Sequence, residues 1–309
     1  MMHLYALIAA LLTLCLLWLT RLPPELGTVN ETGFVLITGA SSGIGRHAAE
    51  YLANTTSLQI LAGVRKEVDA KSIVKMNISN LRPIMVDVTS QKSCLKAIEV
   101  LKRRMATEGQ PFVALVNNAG VASKGVLEYS SVEDSKDMFD INFFGALRLV
   151  QLTLPLLRTS KGRIIMMSSM TGIVSLPMFG MYSASKRALE GLSDALRKEV
   201  LHQGISVSVI QPAYVKTPIF DKVERSYRGK QVENYEIFTK QSTARNQVYN
   251  SASEPIVTSE AIFDGIMSPS PRTRYPVATA AGVPAKYINW LLWLLPDRLE
   301  DKWTEYKFS

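Results

Sequence analysis

Short apolar runs alternate with amphipathic segments along most of the chain. The runs end at glycine or polar residues, which is the pattern of strands that are buried on both faces of a parallel sheet. Strands are predicted at Phe34–Ile37, Leu58–Ala62, Ile84–Val88, Phe112–Val116, Gly162–Met167, Ile205–Ile210 and Arg274–Val277. Helices are predicted at Ser90–Met105, from a capping box at Ser130 to Glu133 through Asn142 to about Arg158, and at Ser259–Met267. The alternation of strands and helices predicts an α/β protein.

The chain begins with an apolar run from Leu4 to Thr20 that Arg21 stops. As a helix, this run would extend about 26 Å, which is near the short limit of a membrane span. A cleavable signal peptide would need a positive start and a small-residue cleavage site, and a core helix would not be so uniformly apolar. We therefore predict an uncleaved transmembrane anchor over 1–21, a linker over 22–32 and a single domain over 33–309.

A second apolar segment, 284–296, follows the last predicted strand, and its centre is Tyr287–Leu295. Nine residues are too few to cross a bilayer. The segment would pack over a pocket, form a dimer contact or lie in the membrane interface with its two tryptophans. The sequence leaves these three interpretations open.

Composition excludes several classes of function. The chain has 309 residues, 47% of them hydrophobic, which suits one large α/β domain. Two cysteines cannot form a disulfide framework, and three scattered histidines do not indicate a metal site. The net charge of +8 is dispersed and accompanies no nucleic-acid-binding motif, so it suits an anionic cofactor or an anionic membrane surface.

A glycine-rich turn follows the first predicted strand and opens a helix. It contains Gly39, Ser41, Ser42, Gly43, Ile44 and Gly45, in the spacing G-x-x-x-G-x-G. Strand, glycine turn and helix N-terminus together form a phosphate cradle, because the backbone can approach a pyrophosphate and the free N–H groups can bind it. The second predicted strand ends near Arg65 and Lys66, where an acidic residue would bind the ribose of NAD. Cations at this place favour NADP over NAD.

Polar residues follow the later strands, at the edge where open α/β sheets bind ligands. Asp87 closes the third predicted strand, Asn117 and Asn118 follow the fourth, and Ser168 and Ser169 follow the fifth. Tyr182 and Lys186, in the sequence YSASK, lie one helical turn apart. An ammonium beside a phenol favours the phenolate, so we expect the pKa of Tyr182 to fall toward a range useful for acid–base chemistry.

The order of TGxxxGxG, NNAG, Asn142, Ser169 and YSASK resembles that of the classical short-chain dehydrogenase/reductase family. The resemblance covers Gly33 to about Thr217 and implies a Rossmann-like, doubly wound parallel sheet in three α/β/α layers. It also implies a catalytic tetrad and a set of cofactor contacts. The implied tetrad is Asn142, Ser169, Tyr182 and Lys186. The implied cofactor contacts are Gly39, Ser41, Ser42, Gly43, Ile44, Gly45, Arg65, Asp87, Val88, Asn118, Ala119, Gly120, Tyr182, Lys186, Pro212, Val215 and Thr217.

Each member of the tetrad has an implied role. Tyr182 would exchange a proton with the substrate oxygen, Ser169 would hydrogen-bond that oxygen, Lys186 would hold the nicotinamide ribose and Asn142 would hold a water. The chain departs from the family at Pro212-Ala213, where Pro-Gly is usual. Family members often pair through the helices of Asn142 and YSASK, so a homodimer is expected by analogy.

The N-terminal anchor and the apolar segment from Met170 to Met181 suggest a lipophilic substrate. Together with the C-terminal sequence they resemble the hydroxysteroid and retinol dehydrogenase branch. The expected function is therefore NADP(H)-dependent interconversion of an alcohol and a carbonyl on a steroid, retinoid or related lipid, by a single-pass protein of the endoplasmic reticulum or another endomembrane. Alternatives are a reductase of a 3-keto-lipid intermediate and a non-catalytic NADP-binding module. Sequons at Asn30, Asn54 and Asn77 leave the side of the membrane open.

Overall fold

The computed structural model of the chain describes residues 30–219, 251–280 and 282–294, with isolated positions at 10, 13, 223, 296, 298, 299 and 302. All but two positions of the predicted anchor over 1–21, and most of the linker, lie outside the described residues. Most of the segment from Pro218 to Glu254, where the family places a substrate lid, also lies outside them. Among the helices that are described, none is long and apolar enough to cross a membrane.

Seven parallel strands form the central sheet, in the order β3-β2-β1-β4-β5-β6-β7. They are β1 (Phe34–Ile37), β2 (Gln59–Val64), β3 (Leu81–Met85), β4 (Phe112–Asn117), β5 (Arg163–Met167), β6 (Ser206–Pro212) and β7 (Arg274–Val277). Every residue of β1, β4, β5 and β6 is buried, which explains their continuous apolar runs. The strand order reverses between β1 and β4, and this creates a crevice at the carboxyl edge of the sheet.

Helices cover both faces of the sheet. They are α1 (Gly43–Thr55), α2 (Glu67–Val74), α3 (Gln91–Glu108), α4 (Val132–Phe139), α5 (Gly145–Ser160), α6 (Gly180–Val200), α7 (Ile256–Met267) and α8 (Ala285–Leu294). One apolar core contains Leu101 of α3, Leu149 of α5 and Leu189 of α6. The other contains Leu52 of α1 and Ile262 of α7. The two cores confirm the predicted doubly wound α/β/α arrangement.

Two predicted elements differ most from the observed ones. Strand β3 ends at Met85 rather than Val88, because Met85 is the last residue that pairs with β2 and Asp87 then turns the chain by accepting hydrogen bonds from Thr89. Pro83 is tolerated within β3 because this strand lies at the edge of the sheet.

The long helix predicted from Ser130 is interrupted. Its N-cap is Ser131, whose hydroxyl accepts from the N–H of Asp134 at 3.2 Å. A π turn over Asp140–Phe144 separates α4 from α5. Periodicity did not reveal this turn, because it spans only five residues within a continuous helical segment and is defined by its backbone hydrogen bonds.

The C-terminal apolar segment is helical over α8. It packs against β7 and against the short hairpin of β8 (Thr279–Ala280) and β9 (Val283–Pro284). Tyr287 and Leu291 remain 56% and 51% exposed. Packing therefore accounts for part of this segment and leaves apolar side chains on its outer face.

Candidate active site

The glycine-rich turn fits tightly against the loop that follows β4. Gly39 and Gly43 have positive φ angles of 65° and 59°, which side chains rarely adopt. A Cβ atom on Gly45 would lie 2.2 Å from Nδ2 of Asn118, and this amide donates to the carbonyl of Thr38 at 2.8 Å. The turn needs glycine for its backbone angles and for its close approach to Asn118.

A cavity of about 670 Å³ extends along the carboxyl edge of the sheet. Every residue that the resemblance implies as a cofactor contact lines this cavity, and so does Ser169. The N-terminus of α1 faces it through Ser42 and Gly43, and the Ser42 side chain forms no capping hydrogen bond. A cavity with a helix N-terminus and a glycine turn at one end fits the pyrophosphate of a dinucleotide.

Arg65 and Lys66 lie where β2 ends and α2 begins, and both are exposed and line the cavity. Neither has an ion-pair partner among the described residues. Arg46 on α1, in contrast, is bound to Glu50 at 2.9 Å and to Ser72. The two cations at the end of β2 are thus available to an anionic ligand.

Tyr182 and Lys186 lie in the first two turns of α6, at the opposite end of the cavity from Arg65. Nζ of Lys186 is 5.8 Å from the centre of the Tyr182 ring and donates to the carbonyl of Met167 at 2.8 Å. Ser169, just beyond β5, lines the same cavity, and its side chain acts on the Tyr182 hydroxyl in the direction that lowers its pKa. The structure therefore brings three of the four tetrad members together in the cavity.

The sequence predicted a lowered pKa for Tyr182. When only the protein's own groups act on Tyr182, this prediction is wrong. Burial raises the pKa of Tyr182, and the side chain of Ser169 opposes this only in part. Burial also lowers the pKa of Lys186 to about 8, while the charge of Glu190 acts in the opposite direction. The helical spacing of Tyr182 and Lys186 could not reveal the cost of burying their charged forms, which decides both directions.

Asn142 lies outside the cavity lining, within the π turn, and is almost completely buried. Its side chain accepts from the N–H of Val121 at 2.8 Å and donates to the carbonyl of Val121 and to Ser185. Ser185 in turn donates to the carbonyl of Tyr182 at 2.7 Å. Asn142 thus joins the loop after β4 to the catalytic helix, which is a structural connection in addition to its implied role with water.

The apolar segment from Met170 to Met181 does not line the cavity that the described residues form. Met170, Val174 and Met178 are buried. That this segment forms a wall of the substrate pocket stays a prediction. The sequence reasoning also missed Thr38, whose hydroxyl accepts from the N–H groups of Asn118 and Ala119. The Thr38-Gly39 sequence at the start of the turn was the available signal.

The sequence profile of the short chain dehydrogenase family matches residues 33–228. The chain belongs to this family. Hydroxysteroid and retinol dehydrogenases are among its relatives, as the motifs predicted. The short-chain dehydrogenase described here is 31% identical over 277 residues to an NADPH-dependent 3-dehydrocapnine reductase of Ornithobacterium rhinotracheale, covering 87% of this chain and 95% of the relative.

Two further comparisons agree with this assignment. The dehydrogenase is 32% identical to 17-beta-hydroxysteroid dehydrogenase type 6 of Bos taurus, over 87% of this chain and 86% of the relative. A crystal structure of a short-chain dehydrogenase from Streptomyces avermitilis is similar with a TM-score of 0.68 at 27% identity, and the match covers 89% of this chain and 96% of that one. The chain is therefore an oxidoreductase of this family.

Proposed function

We propose that this dehydrogenase uses NADP(H) to interconvert a hydroxyl and a carbonyl group on a lipophilic molecule such as a steroid, a retinoid or a related lipid. The observation that carries the proposal is the single cavity that joins a glycine-built phosphate cradle to Ser169, Tyr182 and Lys186. When bound, the nicotinamide supplies or accepts the hydride. The residues of the chain bind the cofactor, orient the substrate and move the proton.

Tyr182 is the proposed acid and base at the substrate oxygen. Because burial raises its pKa, Tyr182 carries its proton at neutral pH and can donate it to the oxygen of a carbonyl that is being reduced. Ser169 would orient that oxygen by a hydrogen bond. Lys186 remains mostly cationic below pH 8, where its ammonium group lowers the free energy of phenolate formation in Tyr182.

NADP is favoured over NAD by two cations at the end of β2 that have no ion-pair partner in the described part of the chain. Arg65 and Lys66 can bind a 2′-phosphate there through charge-assisted hydrogen bonds. The name of the Ornithobacterium relative states NADPH dependence, which agrees with this choice. Asp69 also lines the cavity, and an acidic side chain there would suit NAD.

The lipophilic substrate is supported by the named substrates of relatives, which include hydroxysteroids and retinol. The N-terminal apolar run would place the cavity beside a membrane, and the exposed Tyr287 and Leu291 of α8 would contact its surface. We propose a single-pass protein of the endoplasmic reticulum or another endomembrane. A reductase of a 3-keto lipid is the second candidate, because one relative reduces a 3-dehydro compound.

The test is nicotinamide absorbance with the full chain in detergent micelles. Steroid ketones, retinal, a 3-keto lipid and small polar sugars are each offered with NADPH and with NADH. We expect oxidation of NADPH with at least one of the lipophilic carbonyls and little with the sugars. Efficient turnover of sugars alone would refute the lipid substrate, and a preference for NADH would refute the assignment of NADP.

A further inference from the structure

A buried carboxylate lies one helical turn beyond the catalytic lysine. Glu190 is on α6, four residues after Lys186, so the two side chains share one face of the helix. The Glu190 side chain is only 7% exposed. A carboxylate buried to this extent requires partners that offset the loss of hydration.

Both carboxylate oxygens of Glu190 accept hydrogen bonds from side chains on neighbouring strands. Oε1 accepts from Nε2 of Gln211 on β6 at 2.9 Å, and Oε2 accepts from Nε of Arg274 on β7 at 3.1 Å. Arg274 also donates to Asp194 at 2.7 Å, which lies one turn further along α6 and is more exposed. These bonds fasten the catalytic helix to the two strands beside it.

Gln211 gives this link a direct connection to the cavity. It immediately precedes Pro212, which lines the cavity together with Val215 and Thr217. The hydrogen bond between Gln211 and Glu190 therefore fixes the strand that leads into the proposed nicotinamide end. The Glu190 side chain therefore lies on the helix that carries the catalytic lysine and is bonded to the strand that leads into the cofactor loop.

Without Glu190, little would offset the cost of burying the positive charge of Lys186. Its ammonium group is in a side chain that is 3% exposed, and it donates to the neutral carbonyl of Met167. From the other elements around it, the loop after β4 brings Gly120 near Nζ, and β7 brings Arg274, a cation that is bonded to Glu190. On its own helix the titratable neighbours are Tyr182 and Glu190. Among the described residues, Glu190 is the carboxylate that acts on this ammonium.

We propose that Glu190, held by Gln211 and Arg274, is a positioning residue that keeps Lys186 cationic and directed into the cavity. The consequence for catalysis rests on the proposed function, in which the Lys186 ammonium assists Tyr182. The direction of the effect follows from charge. Removal of the carboxylate leaves burial unopposed and lowers the pKa of Lys186 below about 8. Removal of Arg274 leaves the carboxylate uncompensated and raises that pKa.

The test measures the titration of Lys186 itself. The full chain in detergent is labelled with acetic anhydride at a series of pH values, and the labelling rate of the Lys186 peptide is followed by mass spectrometry. In the unchanged protein we expect the rate to rise with a midpoint near pH 8. Glu190→Gln should move the midpoint down by about one pH unit, and Arg274→Met should move it up by a smaller amount.

Asp194→Asn is the matched control, because Asp194 shares Arg274 but lies two turns from Lys186. Its midpoint should stay within a few tenths of a unit of the unchanged protein. A purely structural role for Glu190 predicts no opposite shifts in Glu190→Gln and Arg274→Met. Coincident midpoints in these variants, or an equal shift in Asp194→Asn, would overturn the proposal. If Glu190→Gln does not fold, the conservative variant Glu190→Asp, whose shorter side chain withdraws the carboxylate, takes its place, and a labelling midpoint that does not move down overturns the proposal.

Turnover of NADPH with the lipophilic carbonyls is measured on the same samples. In the reductive direction, the alkaline limb of the kcat/KM profile should move with the labelling midpoint. Opposite labelling shifts without any turnover in the unchanged protein would support the role of Glu190 and refute the proposed function. Turnover in the unchanged protein together with coincident labelling midpoints would support the proposed function and refute the role of Glu190.

Discussion

The two ends of the cavity differ in the chemical groups that form them. At the end formed by β1 and β2, the ligand would meet backbone, glycine and exposed cations, with Gly39 and Gly43 at positive φ and Arg65 at the surface. At the end formed by β5, β6 and α6, the cavity is backed by polar side chains that are almost completely buried. Lys186, Glu190 and Gln211 are each less than a tenth exposed.

This difference agrees with what each end would bind in the proposed function. A pyrophosphate is strongly charged and is bound well by backbone N–H groups, which demand close approach but little side-chain chemistry. Proton transfer needs side chains whose pKa values depart from their values in water, and burial produces such departures. The first end should therefore be sensitive to added atoms, and the second to lost functional groups.

The largest effect is expected at the buried end, in Tyr182→Phe. Loss of the hydroxyl removes the acid and base, so kcat should fall about 10²- to 10⁴-fold. Binding of NADPH, followed by its fluorescence, should change little, because the ring and its packing remain. Turnover close to that of the unchanged protein would assign the proton transfer to another residue.

An added methyl group should be more harmful in the glycine turn than elsewhere. In Gly45→Ala the new Cβ atom would lie 2.6 Å from the carbonyl of Gly39 as well as against Asn118. We expect a loss of about 1–3 kcal/mol in the free energy of unfolding and roughly 10-fold weaker NADPH binding. Gly191→Ala, on the exposed side of α6 with nothing within 4 Å, is the control and should stabilise the protein by about 0.5–1 kcal/mol. Equal losses in both variants would contradict the steric explanation.

The smallest effect is expected from a cation at the cofactor end. Arg65→Ala should raise the KM for NADPH about 10-fold and leave the KM for NADH almost unchanged, because only NADPH carries the 2′-phosphate. Arg103→Ala, on the exposed side of α3 and away from the cavity, should alter neither value. Parallel changes for the two cofactors in Arg65→Ala would show that the guanidinium group does not discriminate between them.

The sequence was most informative where function depends on local pattern. The glycine spacing, the Asn-Asn pair and the YSASK helix each lie within a few residues, and the structure places their implied cofactor contacts on one cavity. The β3 boundary and the π turn at Asn142 were not predictable, because hydrogen-bond register decides them. The link between Glu190 and Arg274 joins residues far apart in the chain, and no local signal announced it.

The direction in which the pKa of Tyr182 shifts was also not predictable from local sequence. A pair of residues one turn apart indicates an interaction, but it does not indicate how deeply either group is buried. The desolvation of Tyr182 outweighs the favourable effect of its neighbours on the phenolate, and depth is a property of the whole fold.

The pairing of β7 with β6 has a consequence for the folding of the protein during its synthesis. A nascent chain contains the glycine turn, Ser169, Tyr182 and Lys186 well before Arg274 leaves the ribosome. Until then the edge of β6 is an unpaired strand, which invites association with other chains. A chain that stops before residue 274 would carry all the motifs of the cofactor and catalytic sites, yet we expect chaperones and proteases to bind it, because the edge of β6 would stay unpaired.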